Sequence, residues 1–215
     1  MPPAVRPHLS GAVVVPLFST DPSLSAEARG PLPPGRALRR LERWLYAYAA
    51  LKDLVLLYPV YALLFAGHGL STGQISSLFV IWSVTGVVAE VPSGVWADTV
   101  SRRSALVAGA LLTGAGFGLW VAVPSYAAFA AGFALWGLGG ALGSGALEAL
   151  VYEELEQLGA TDRYAGLTGR AAAVATVATA VATAAAAPVF AAGGFTALGA
   201  ASTAACLLCA GAAAA

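Results

Sequence analysis

The chain has 215 residues, of which 59% are hydrophobic and only 10% charged, with a mean hydropathy of +0.78. Soluble globular chains carry about 25% charged residues, so the composition excludes an ordinary soluble domain and points to an integral membrane protein. The formal net charge is zero, but the charges are placed very unevenly along the chain.

Residues 1–40 are rich in Pro, Gly, Ser and Ala and carry Arg6, Arg29, Arg36, Arg39 and Arg40. They lack a sustained period and read as a disordered basic tail. Residues 41–215 read as a six-helix transmembrane domain, since six apolar segments approach the ~20 residues a bilayer needs. The expected spans are 42–67, 71–97, 104–123, 126–154, 165–190 and 194–215. Ser71 and Gln74 have capping-box spacing at the start of the second. The connections at Gly67–Leu70, Val123–Ser125 and Ala192–Gly194 are very short and force antiparallel neighbours.

Arginines precede the first span, and Arg102, Arg103, Arg163 and Arg170 flank two of the connections; the intervening connections carry no Lys or Arg. The positive-inside rule then predicts a multi-pass protein of the inner or plasma membrane with its N-terminus in the cytoplasm. Gly114/Gly118 and Gly139/Gly143 have the spacing that lets helix backbones approach in lipid. Thr176, Thr179 and Thr183 share one helix face and are expected to bond a neighbour or their own i−4 carbonyls. Cys206 and Cys209 form a Cys-x-x-Cys spacing with no second pair or nearby His, so they read as small packing residues. No metal site or cofactor is expected.

Ionisable side chains inside spans cost roughly 2.5–3.5 kcal/mol each and call for a reason. Lys52 and Asp53 lie in the first expected span, Glu90 in the second and Glu148 in the fourth. At about 1.5 Å per residue they share a similar depth, so mutual pairing is geometrically possible. Ser144, Glu148 and Tyr152 are spaced i, i+4, i+8 and predict one polar stripe; Ser83, Gly86 and Glu90 predict another. Pro92 frees the Val88 carbonyl beside Glu90. Asp53, Glu148 and Glu90 are therefore candidates for proton or substrate binding, because a buried carboxyl group can take up and release a proton. The competing reading is a charge network in which Lys52 or Arg170 neutralises the acids and locks helices together. Glu153, Glu154 and Glu156 form an acidic helix end that can pair with Arg102, Arg103 or Arg163.

Two motifs carry a resemblance to a known family. The loop Gly94-Val95-Trp96-Ala97-Asp98-Thr99-Val100-Ser101-Arg102-Arg103 resembles the signature between the second and third helices of the major facilitator superfamily. Gly94, Ala97, Asp98, Arg102 and Arg103 match it; Trp96, Thr99 and Ser101 depart from it. The stretch Gly143–Glu153, with Ser144, Gly145, Glu148 and Tyr152, is similar to a fourth-helix pattern of a drug-exporter-like branch. The resemblance covers the chain from about Leu41 onward. It implies one six-helix half of a transporter that works by alternating access, with proton-coupled efflux of a small organic solute. It further implies a cytoplasmic gate at Gly94, Asp98, Arg102 and Arg103, and first and fourth helices that line the central cavity, which places Asp53 and Glu148 toward substrate or protons.

A superfamily transporter has two such halves. The chain holds one, and its last residues, Gly211–Ala215, are still apolar. A transporter truncated after its N-terminal half is thus expected. Its expected partners are the lipid bilayer, a small-molecule substrate, protons and a completing half: a missing C-terminal half, a second half-chain or a second copy. No nucleic-acid partner and no enzymatic activity are expected. The alternatives are an assembly-only membrane protein and, more remotely, an intramembrane enzyme. For the latter, Gly143-Ser144-Gly145 lacks the preceding Gly of a serine nucleophile motif, and His8 and His68 lie outside the later helices.

Overall fold

The structure, a computed structural model, describes residues 34–215. Among these residues there is no strand, and four helical stretches are long and apolar enough to cross a membrane. Helix α1 spans Pro34–Asp53, α2 Tyr61–Gly67, α3 Thr72–Thr99, α4 Arg102–Ala122, α5 Tyr126–Gly143, α6 Ala146–Gln157 and α7 Tyr164–Ala214. Residues 34–40, expected in the disordered tail, belong to α1; the tail before them lies outside the described residues.

The helix starts follow local chemistry. Ser71 caps α3, accepting from the Gln74 N–H at 3.3 Å while the Gln74 side chain accepts from the Ser71 N–H at 2.9 Å. Ser125 caps α5 by accepting from the Ala128 N–H at 3.3 Å, without a reciprocal bond. Only Val100 and Ser101 separate α3 from α4. Ser101, in the place of the glycine in the resembled loop, is extended and caps α4 by accepting from the Ser104 N–H at 3.4 Å.

Two expected spans are interrupted. The first is helical to Asp53 and resumes at Tyr61, because Pro59 has no N–H to give and disfavours helical geometry at Tyr58. The break exposes backbone groups that a membrane interior cannot hydrate. The Leu57 N–H is satisfied by Ser202 Oγ at 3.1 Å, and Ser202 is itself fully buried. The fourth expected span breaks between α5 and α6 at Gly145, whose φ of +70° is disfavoured for any side-chain-bearing residue.

Helix α7 is 51 residues long, which as a straight rod would reach about 76 Å against a hydrocarbon core of about 30 Å. It departs from helical geometry at Gly193 and Gly194, the latter at φ +62°. Leu167 and Ala171 of the first limb pack with Leu41 and Leu45, and the Ala212 carbonyl of the second accepts from Trp44 Nε1 at 2.7 Å. Both limbs therefore end beside α1, and the chain reverses at the two glycines. Thr176, Thr179 and Thr183 each donate to the carbonyl four residues earlier.

Helix α4 packs between α5 and the second limb of α7, α3 packs on α5, and α1 on α7. The α4–α5 crossing needs glycine, since a Cβ at Gly109 would sit 2.7 Å from the Gly139 carbonyl oxygen. Gly114 and Gly118 face Cys206 and Thr203 on α7, whereas a Cβ at Gly143 would meet nothing within 4 Å. One end of the core is aromatic: Phe65, Phe117, Trp120, Phe129 and Phe133 are fully buried, and the Trp120 indole donates to the Phe129 carbonyl. The opposite end carries the charged α3–α4 turn and the end of α6.

Candidate functional site

The two helix breaks place ionisable side chains at a shared cavity. Asp53 is the last residue of α1, next to Lys52, and Glu148 lies in the first turn of α6. Lys52, Asp53 and Glu148 line one cavity of about 190 Å³, walled on its apolar side by Leu45, Val151 and Ala171. The N-terminal turn of a helix favours an anion and the last turn a cation, so Glu148 and Lys52 are well placed and Asp53 is not. Among the described residues, no salt bridge involves Lys52, Asp53, Glu148 or Arg170. The competing reading of a charge network through Lys52 or Arg170 thus finds no salt bridge among the described residues, and Arg170 lies exposed.

Lys52 also borders a second cavity, of about 70 Å³, lined by Tyr48, Tyr58, Thr113 and Trp136. Tyr58 and Trp136 stack at 5.5 Å between ring centres. Cys206 and Cys209 form part of its wall as buried free thiols. Trp44, Tyr48 and Lys52 share one face of α1, and the Trp44 and Tyr48 rings stack at 5.8 Å.

Glu90 sits apart. Its carboxylate accepts from Ser144 Oγ at 2.8 Å in a separate groove between α3 and α5, which Ser83, Gly86 and Trp82 also line. The expected stripe of Ser144, Glu148 and Tyr152 is therefore corrected: the break at Gly145 sends Ser144 to Glu90 and Glu148 to the Asp53 cavity. Tyr152 packs edge-on against Tyr164 instead of lining either. The stripe of Ser83, Gly86 and Glu90 does share one groove.

At the charged end, Arg102 lies 2.6 Å from Glu153 and 3.5 Å from Asp98. Arg103 lies 3.5 Å from Glu154 and packs its guanidinium over the Trp44 ring at 5.6 Å. These contacts tie the α3–α4 turn to α6 and α1. Gly94 is half-buried, and a Cβ there would meet nothing within 4 Å. No described neighbour therefore requires glycine at that position.

No protein-family model matches the chain, and no curated protein or solved structure is significantly similar to it.

Sequence reasoning missed Trp44, Tyr48, Tyr58, Trp136 and Ser202. The i, i+4, i+8 spacing of Trp44, Tyr48 and Lys52 was readable as a stripe ending in a charge. Pro59 was readable as a breaker. Ser202 had no local signal, because its partner is 145 residues away in the chain.

Proposed function

We infer that this chain is a six-span membrane transporter bundle that moves a small organic solute by alternating access. The observation that supports it most strongly is the cavity where Lys52, Asp53 and Glu148 meet without pairing, two of them at helix breaks. Interrupted helices at membrane depth are a recurrent way to build solute and ion sites, because the break supplies helix ends and free backbone groups to the cavity. Unpaired charges in an apolar bundle are costly, and a water-accessible binding cavity is the usual reason they persist. The resemblance of residues 94–103 and 143–153 to the major facilitator superfamily supports the same reading, with efflux coupled to protons.

In this reading the spans are those of α1 with α2, α3, α4, α5 with α6, and the two limbs of α7. The arginine-bearing end faces the cytoplasm. Asp98, Arg102 and Arg103, with Glu153 and Glu154, form the charged closure at that end. The open face carrying Lys52 is completed by a second bundle.

The test is substrate-stimulated proton movement in sealed proteoliposomes containing the purified chain, scored against Glu148→Gln. Solute-dependent pH change that is lost in the variant is the expected result. A chain that inserts and pairs with a second bundle but moves neither solute nor proton over a broad solute panel would instead be an assembly component.

A further inference from the structure

Among the described residues, Lys52 is the only charged side chain in the walls of the aromatic cavity, and it also borders the cavity of Asp53 and Glu148. Both spaces exceed the ~10–15 Å³ that one water molecule needs. Lys52 thus belongs to the walls of both spaces, and among the described residues neither it nor Asp53 nor Glu148 is in a salt bridge. A simple ammonium ligand would answer the carboxylates but leave Lys52 without an anion in the aromatic cavity. A simple anion would answer Lys52 and add a third negative charge beside Asp53 and Glu148.

We propose that the ligand of this junction is a small zwitterion with an aromatic body. Its anionic end meets Lys52 and its ammonium end lies toward Asp53 and Glu148. Its ring packs among Tyr48, Tyr58 and Trp136, and the Thr113 hydroxyl offers a further hydrogen bond. The site offers one basic and two acidic side chains, and a zwitterion presents a group of each sign to them without changing their formal sum. This assignment rests on the cavity being the solute site and extends it to a ligand class.

The experiment uses three probes of one shape and different charge: phenylalanine, phenethylamine and 3-phenylpropionate. Their binding to the full chain in lipid nanodiscs is measured at equilibrium through tryptophan fluorescence and thermal denaturation. Phenylalanine is expected to bind at least about tenfold more tightly than either singly charged analogue, since each of those answers only one sign of the site's charge. Lys52→Gln is expected to reduce phenylalanine to the level of phenethylamine, and Lys52→Arg to restore the difference. Equal or tighter binding of phenethylamine or 3-phenylpropionate, absence of binding by all three, or an unaltered preference in Lys52→Gln would each overturn the assignment. The native chain alone decides the first two. Binding without flux in proteoliposomes would count against transport while leaving the ligand class intact; flux of another solute without phenylalanine binding would do the reverse.

Discussion

Ser202 Oγ accepts the Leu57 N–H at 3.1 Å and donates to the Leu198 carbonyl at 2.8 Å, so one buried hydroxyl serves both a broken helix and its own. The break in question is the one that brings Asp53 to a helix end. The hydroxyl replaces the carbonyl that Leu57 would have used in a continuous helix. The Leu57 donor is therefore answered although the first span is discontinuous among apolar neighbours.

Ser202→Ala leaves that N–H unanswered, and loss of a partner from a buried donor costs about 1–3 kcal/mol. A lowered thermal midpoint in detergent is expected, with ligand binding weakened alongside because Asp53 loses its fixed position. An unchanged midpoint would mean that another acceptor reaches Leu57.

The α4–α5 crossing predicts a sharp contrast between glycines. Gly109→Ala drives a Cβ against the Gly139 carbonyl and forces the helices apart, for a loss of about 1–3 kcal/mol. Gly169→Ala meets nothing within 4 Å and is expected to be neutral or to gain up to about 1 kcal/mol from helix propensity. Chemical denaturation of the two variants side by side measures this; equal effects would sink the close-approach argument.

The Arg102–Glu153 pair is short but partly solvated, with side-chain exposures of 25% and 49%. Its coupling in a double-mutant cycle is expected to be about 0.2–1 kcal/mol and to shrink in high salt. Its effect on function is expected to be larger: Asp98→Asn and Arg102→Ala should impair transport while leaving membrane insertion intact. Normal transport in Asp98→Asn would remove the gate assignment.

Glu148→Gln keeps the shape of the side chain and removes its charge. If Glu148 carries the coupled proton, transport by this variant should lose its dependence on external pH. A native pH profile would return Glu148 to a purely positioning role and shift attention to Asp53.

Gly145→Ala addresses the second break. A side chain at φ +70° costs about 1–2 kcal/mol, so the variant is expected to be less stable and to disturb the separation of Ser144 from Glu148. Equal stability of the variant and the native chain would mean the break does not depend on that conformation.

What the sequence alone determined were the properties that arise from near neighbours. Apolar length marks the helices, Ser71 with Gln74 marks the start of one, and the arginines before and after the turns mark one charged end. The acidic run at Glu153 and Glu154 was legible as a partner for Arg102 and Arg103 because both must lie at helix ends of like polarity. The tertiary structure alone decided which charged residues meet. Equal depth allowed Glu90 to join Asp53 and Glu148, but depth leaves the direction around the helix open. The break at Gly145 then turned Ser144 and Glu148 toward different spaces. Hydropathy averaged over a span also passes over a break such as 54–60, because the leucines and valines around Pro59 keep the window apolar. One of the hydrogen bonds lost at the break is supplied by Ser202, a residue distant in sequence.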